Sequence, residues 1–506
     1  MKFWDFCLRI IKTRFAAHRR ILFIVGIALA MRGLLFLVFM NAVGVSVFWE
    51  GADDVRAYVA LAKNMLTHGS FISQNEITPE SWYTPGYPAF LAGFWYAAHS
   101  WIPAIVVQHV LAAGSAVLVY VIGKSFFTEK IGFTAALVFA LEPTSLYLSS
   151  FLWSETLFLF LFLLFLYFFL QFLFSPEWPN VQTYAVLAGV FLAAATYVRQ
   201  IAFLIPLALI FFMAMIGFIA PPYATRRRMY GFVLFLVMSM GLVTPWMARN
   251  KILFDSWSLG ASSSVTLYFI DAVSFAYYRN AHSKIGYIIG AEHVEKPEGD
   301  VWPRSQGGIF SDDAGFGLHL EDFYTKKAKD IILAHPVEYV SFHLVTGVGG
   351  FMIQDTWRGI LRRAGFTLSR SGLKEALFNR NIPIVRSLVS SGNLLWFLVG
   401  FSGHVFFIAV TILMIMGTVT VFRRGPPITA LTGALLLFLF FYFAVATGPV
   451  AYRDRYRYPA LPAMFLLAAT GLFYKRDMLH AKSHDLGYGV DEPEHDSKYK
   501  RIQAKE

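Results

Sequence analysis

Charge is scarce in this chain. Asp, Glu, Lys and Arg together make up 15% of its 506 residues, where a soluble domain carries about 25%. The deficit excludes a molecule whose whole surface faces water. Cysteine is nearly absent: Cys7 is the only one, so no intrachain disulfide framework is possible. A nucleotide-binding glycine loop and the HExxH zinc signature are both missing, and the 13 histidines are scattered without metal-ligand spacing. A cytoplasmic nucleotide is therefore not the expected phosphate donor. No stretch reads as a soluble catalytic domain, so any chemistry must fall on loops and helix ends.

What is present is apolar. Hydrophobic residues make up 57% of the chain and Phe alone occurs 51 times, and the mean hydropathy is +0.55. The apolar residues fall in runs such as "ETLFLFLFLLFLYFFLQFLF" and "GHVFFIAVTILMIMGTVTVF", long enough for the roughly 20 residues a helix needs to cross a bilayer. One such run fits a buried core helix of a soluble protein; the whole succession does not. The net charge of +11 is not a nucleic-acid signal, because many basic residues flank apolar runs, the position of cytoplasmic anchors. The fold class expected is all-α: a polytopic transmembrane helix bundle whose extracytoplasmic loops carry short interfacial helices.

Run length and Lys/Arg placement give an organisation. Residues 1–19 hold Arg9, Lys12, Arg14 and Arg19 ahead of the first run, which places the N-terminus in the cytoplasm. That run, about 20–44, has no small-residue cleavage site after it and reads as a retained span. Arg32 interrupts it and should face the bundle. The module 20–249 includes an outer loop, 45–85, in which "VRAYVALAKNML" has helical apolar spacing. Spans follow at 101–122, 131–150, 153–174, 182–198, 200–220 and 229–248. Segment 86–98 is short, and leaving it out of the membrane keeps Lys124, Lys130 and Arg226–Arg228 inside. Residues 250–336 form an extracytoplasmic loop. The C-terminal spans of 337–474 are expected at 337–355, 383–400, 403–421, 429–448 and 457–474, and 475–506 is a polar cytoplasmic tail expected to be disordered. The protein is thus expected in the cell membrane, both termini inside.

The outer ends of these spans collect the site candidates. "FWEGADDVRAYVALAKNML" supplies Asp53 and Asp54, with Tyr58 one helical turn after Asp54. A carboxylate at the mouth of a membrane cavity can take a proton from an acceptor hydroxyl, orient it, or hold a metal that neutralises phosphate; it can also simply cap the helix. "WYTPGYPAF" contributes Trp82 and Tyr83 before a rigid Pro85–Pro88 junction. "SETLF" places Glu155 at a helix start, "TYVRQ" places Arg199 between two apolar runs, and "PWMARN" ends a span with Arg249 and Asn250. "AYRDRYRYPALP" carries Arg453, Arg455 and Arg457 at the outer start of the last span, against the positive-inside trend. Arg is suited to phosphate through bidentate charge-assisted bonds, although headgroup contact or pairing with Asp454 also fits.

These motifs, in this order, resemble the GT-C fold glycosyltransferases, integral membrane enzymes using sugars carried on a polyprenyl phosphate; the group includes protein O-mannosyltransferases and the aminoarabinose transferase of lipid A. The resemblance is carried by Asp54, Tyr58, Ala62, Leu66 and Gly69, then Pro85, Gly86, Tyr87, Pro88, Phe90 and Ala92. Ser154-Glu155-Thr156, then Pro245, Trp246, Arg249 and Asn250, and the "RYR" element from Arg455 complete it. It covers most of residues 20–475. It implies an inverting transfer from a polyprenyl-phosphate sugar to a lipid, glycan or protein acceptor at the extracytoplasmic face, with no nucleic acid involved. Asp54 then matches the group's catalytic acid position, with Asp53 its neighbour and rival, and Glu155 matches a second acidic position that assists or holds a divalent cation. Tyr58, Tyr83, Arg199, Arg249, Asn250, Arg453, Arg455 and Arg457 become the substrate-binding candidates. Many relatives carry Arg or Lys just before the "PGYP" element; Tyr83 and Thr84 stand there in this chain.

Three other readings compete. A transporter or flippase calls for repeat symmetry and mid-membrane ionisable residues, and only Arg32 answers to the second. A surface-polysaccharide polymerase or ligase would have a dominant outer loop late in the chain. An assembly subunit with a decayed site would keep the layout without the chemistry. An outer cavity reaching from Asp54 to Arg455 is what would separate a transferase from the non-enzymatic readings.

Overall fold

A computed structural model describes residues 2–50, 53–74, 76–220, 225–282, 284, 318, 321–351, 356, 360, 394–448 and 454–473. The long helices are α1 (Lys2–Val43), α2 (Asp53–His68), α3 (Gly86–Ala98), α4 (Ile102–Phe126), α5 (Glu129–Leu141), α6 (Pro143–Ser150), α7 (Glu155–Phe174), α8 (Trp178–Val198) and α9 (Ile205–Ile219). After them come α10 (Arg226–Gly241), α11 (Thr244–Phe254), α12 (Val273–Asn280), α13 (Glu321–Ala334), α14 (Pro336–Gly350), α15 (Leu394–Arg424), α16 (Pro427–Thr447) and α17 (Leu461–Leu472). No strand occurs among the described residues; Ile72 and Pro79 make an isolated bridge. Eight helices are long and apolar enough to cross a membrane, or up to 10 if two bent pairs are each one span. The protein is an all-α, multi-pass membrane helix bundle.

Apolar runs set the helices, and their ends follow from local chemistry. The hydroxyl of Thr128 accepts a hydrogen bond from Ile131 N at the start of α5. Glu142 accepts from Ser145 N (2.7 Å) and Pro143 opens α6. Together they divide the expected span 131–150 into two helices bent by 54°, since Pro143 lacks the N–H that would continue α5. The junction expected near 402 is absent: α15 runs unbroken through it, because no proline interrupts that stretch. Residues 383–393 and the tail 475–506 lie outside the described residues. The expected loop 250–336 holds helix in its described part, and α13 meets α14 at 103°. Segment 86–98 does fold as α3, whose 13 residues rise only about 20 Å, short of a hydrocarbon core of about 30 Å.

Small residues let the helices approach closely, as is common where lipid replaces water. A side chain at Gly123 of α4 would collide with Gly132 of α5, and one at Gly417 of α15 with the backbone of α17 at Leu467. Arg32, expected to face inward, is completely buried. Its guanidinium donates to Ala28 O (2.9 Å), Ala140 O (3.2 Å), Ser145 Oγ (2.7 Å) and Ser149 Oγ (3.1 Å). An inserted charge is tolerable in lipid only when so satisfied, and here it ties α1 to the α5–α6 bend.

Candidate active site

The short helix expected after the first span is α2. Its Val55, Ala57, Tyr58, Leu61 and Ala62 are buried on one face, and this docking fixes where the carboxylate at its start points. Asp54 Oδ1 accepts from the Tyr83 hydroxyl (3.2 Å), and Oδ2 pairs with Arg455 Nη2 (2.8 Å). Asp53 opens the same helix; its side chain lies outside the described residues.

Tyr83 is positioned by its own loop. Glu80 accepts from the backbone N–H of Trp82 (2.5 Å) and of Tyr83 (3.1 Å). Arg249 donates to Glu80 O (2.7 Å) and Phe71 O (3.2 Å), and Asn250 donates to Ser258 O (2.8 Å) and Leu259 O (3.1 Å). Arg249 and Asn250, expected at the substrate, are thus joined to backbone: they clasp the loops that carry Tyr83.

Glu155 begins α7, where the partial positive charge of the helix N-terminus favours an anion. It is almost fully buried. Arg199 Nη1 (2.7 Å) and Arg455 Nε (3.0 Å) both pair with its Oε1. These are ion pairs whose alignment falls short of hydrogen bonding, and Oε2 has no partner among the described residues. Ser154 stands at the N-cap of α7 without capping it. Its hydroxyl instead accepts from Arg199 Nη1 (3.1 Å) and contacts the Tyr58 hydroxyl (3.2 Å). Asp54, Glu155, Arg199 and Arg455 therefore form a quartet, two anions and two cations, with Tyr58, Tyr83 and Ser154 around it. The Arg455 guanidinium lies 5.4 Å from the Trp153 ring and 5.3 Å from the Tyr456 ring, within the range of cation–π attraction.

Electrostatics follow from these pairs. Burial alone would raise the Asp54 pKa, but Arg455, Arg199 and the Tyr83 hydrogen bond outweigh it and hold the carboxyl below its ordinary value. Burial works against the Arg455 cation, yet Glu155, Tyr456 and Asp54 raise its pKa above the usual arginine value. Burial and the nearby Asp54 carboxylate push the Tyr83 phenol up, so it stays a neutral donor.

Of the other arginines of the last motif, Arg457 does not join the quartet. Arg457 is fully buried and donates to Phe351 O (2.6 Å), with Asp454 3.9 Å away and the Phe407 ring 3.5 Å from its guanidinium. Arg453 lies outside the described residues. The discriminating feature named from the sequence is an outer cavity reaching from Asp54 to Arg455; the two residues are in direct contact, and neither of the cavities at hand is lined by them. A cavity of about 390 Å³ lies instead by Ser175, Thr225 and Arg226–Arg228, at the far end of α7. Trp153, Tyr456 and Glu80 were not singled out as site residues, and neither their spacing nor their type sets them apart from membrane-interface aromatics and loop carboxylates. Among the described residues, no group of three or more His, Cys, Asp and Glu is placed to hold a metal.

No protein-family model matches the chain, and no curated protein matches it. Among solved structures it is similar to the archaeal oligosaccharyltransferase AglB from Archaeoglobus fulgidus in complex with an inhibitory peptide and a dolichol-phosphate. That match has a TM-score of 0.45 and 13% identity over 88% of this chain and 50% of that one. A second structure of the A. fulgidus oligosaccharyltransferase, complexed with Zn and sulfate, gives 0.41 and 14% over 87% and 48%. ArnT from Cupriavidus metallidurans bound to undecaprenyl phosphate gives 0.36 and 14% over 87% and 77%. The chain thus spans about half the length of the archaeal proteins it matches.

Proposed function

We propose that this protein is an inverting glycosyltransferase that moves a hexosyl or pentosyl group from a polyprenyl-phosphate-linked donor to an acceptor hydroxyl at the extracytoplasmic face of the cell membrane. The observation that carries the reading is the quartet itself. An ionised carboxylate, Asp54, at the start of the short helix α2 and a cation fork, Arg455, just before α17 meet in the pairing that such a transfer needs. The acceptor oxygen attacks the anomeric carbon opposite the phosphate. The bond from that carbon to the phosphate oxygen breaks, and its electron pair leaves with the phosphate. The hydroxyl proton passes to Asp54, which Tyr83 and Arg455 hold in place.

Arg455 commits Nη2 to Asp54 and Nε to Glu155. Its Nη1 is the donor we assign to the departing phosphate, a charge-assisted contact. Cations aimed at charge that develops in the transition state are a large source of rate. A phosphate leaving group so neutralised needs no general acid, unlike the bridging oxygen of a simple glycoside, which takes two carboxyl groups. Arg199 and the Ser154 hydroxyl fix Glu155 behind the pair. The acceptor is a lipid, glycan or protein hydroxyl reaching the site from the aqueous side or the outer leaflet.

The test is reconstitution of the purified chain with undecaprenyl-phosphate sugars of several kinds and with membrane lipid, glycan and peptide acceptors. Transfer with inversion at the anomeric carbon is the expected result. A chain that binds these donors and moves them across the bilayer without transferring sugar would sink the proposal in favour of a flippase.

A further inference from the structure

A site with two acidic residues facing a phosphate invites a divalent cation, and the donor set of this one argues against it. Asp54 Oδ1 is taken by the Tyr83 hydroxyl and Oδ2 by Arg455 Nη2. Glu155 Oε1 faces both Arg199 and Arg455. Neither Glu155 oxygen has a hydrogen-bond partner among the described residues, but Oε1 is held by the two guanidinium ion pairs, which leaves Oε2 as the uncommitted oxygen. Calcium takes six to eight oxygen ligands and magnesium about six in an octahedron, and one open oxygen does not begin such a shell. Position matters as much as number. The Arg455 guanidinium sits between the two carboxylates, 2.8 Å from one and 3.0 Å from the other, in the place that an ion bridging them would occupy. Charge points the same way: two carboxylates against two guanidinium groups leave the quartet formally neutral. Among the described residues, a divalent ion added to it would meet two fixed cations at close range against carboxylates those cations already neutralise.

The surroundings hold the guanidinium where it is. Trp153 and Tyr456 both stand within cation–π range of it, and it is an always-charged fork that spans two acceptors where an ammonium would contact one point. Resting on the transferase reading above, we infer that Arg455 is the resident cation of this site. It bridges Asp54 and Glu155, leaves Nη1 for the donor phosphate, and keeps the carboxylate pair from binding a divalent metal. The open Glu155 Oε2, buried in a neutral setting, then suits a neutral O–H donor such as a sugar hydroxyl.

Titration of the purified full-length chain with Mn²⁺, followed by the electron paramagnetic resonance signal of the free ion, tests this without any need for transfer. Wild type is expected to retain no Mn²⁺ at this site. Arg455→Ala, which uncovers both carboxylates, is expected to gain one bound Mn²⁺ per chain, and the gain is expected to vanish when Glu155→Gln is added. Mn²⁺ bound to wild type and lost in Glu155→Gln would overturn the inference. A folded Arg455→Ala that gains no Mn²⁺ would equally overturn the role given to the guanidinium. Where Arg455→Ala does not fold, the wild-type and Glu155→Gln titrations decide alone. The readout separates the two claims: this metal pattern in a chain that transfers no sugar removes the proposed function and leaves the cation assignment standing. Transfer that requires Mn²⁺ does the reverse.

Discussion

Arg455 Nη2 stands 2.8 Å from Asp54 Oδ2, an ion pair that joins the start of α2 to the turn before α17. The Arg455 side chain is largely buried and that of Asp54 about a quarter exposed, so the pair is partly shielded from water and its attraction exceeds that of a surface pair. Each residue shifts the other toward its charged form. Removing either partner leaves a charge that neither water nor protein fully satisfies, and the consequences are measurable at both ends.

Replacing Asp54 by Asn keeps the shape and the Tyr83 contact while removing the charge. Sugar transfer is expected to fall about 10²- to 10⁴-fold, the usual weight of a positioned proton acceptor, with Asp53→Asn closer to wild type. The two variants are compared on a defined lipid-linked donor, each checked for folding. A dead Asp53→Asn beside an active Asp54→Asn would move the role to the neighbour.

Arg455→Lys keeps one positive charge but cannot span both carboxylates and still present a third donor. Loss of a charged hydrogen bond of about 1.5–3 kcal/mol corresponds to a loss of about 10- to 100-fold in affinity for undecaprenyl phosphate. Calorimetric titration in detergent reads this directly, and an unchanged dissociation constant would remove Arg455 from the phosphate.

The pair also fixes a pH dependence. The Asp54 pKa is lowered by folding, so its stabilisation is fully present above the unfolded carboxyl value of about 3.9 and is lost as pH falls through the lower folded value. The Arg455 pKa is raised, so its share is present below the unfolded arginine value and is lost only as pH rises beyond it. The stability gap between wild type and Asp54→Asn should therefore be flat from about pH 5 to 8 and close only in stronger acid. Thermal unfolding of both proteins across that range checks it; a gap already closing at pH 6 would contradict the shift.

Arg32 sets a contrast between buried and exposed charge. Arg32→Met leaves Ser145, Ser149 and two carbonyls without their donor, and is expected to cost about 1–3 kcal/mol. Arg20→Met removes the half-exposed pair with Glu129 and a cation–π contact with Phe133, expected to cost about 1 kcal/mol. Chemical unfolding in matched detergent compares the two, and equal losses would deny the clamp.

The helices and the inward-facing Arg32 were legible because apolar run length and an isolated charge each have one physical outcome in lipid. The bend at Pro143 and the continuity of α15 were not: Glu142 turns a proline into a new helix start, while the glycine- and serine-containing "VGFSGH" stretch around residue 402 mimicked a break. Asp54, Glu155, Arg199 and Arg455 could be named from motifs, but not their pairing, which depends on how α2, α7 and the last turn converge. Arg249 and Asn250 were named as substrate candidates, and their bonds to backbone carbonyls were not legible, because a side chain that binds backbone leaves no trace in residue type. Ser154, named only as part of a motif, stands at the N-cap position of α7 and serves the quartet instead.

The sidedness of the bundle follows from where its basic residues gather. Arg20 pairs with Glu129 (2.6 Å), Lys124 with the same carboxylate (3.2 Å), and Lys130 lies 4.0 Å from the Phe473 ring. The start of the first span, the α4–α5 turn and the end of α17 therefore share one end of the bundle. Thr429 donates to Phe126 O (2.9 Å), which brings the start of α16, and with it Arg423 and Arg424, to that end too. The quartet gathers at the opposite ends of these elements: Glu155 opens α7 and Arg455 precedes α17. Clustered Lys and Arg mark the cytoplasmic side, so both termini should be inside and Asp54, Glu155, Arg199 and Arg455 outside. Reporter fusions after Arg20, within 285–317 and after Lys475 should read inside, outside and inside. A fusion after Lys475 that reads outside would reverse the assignment, and with it the claim that the donor is met at the outer face.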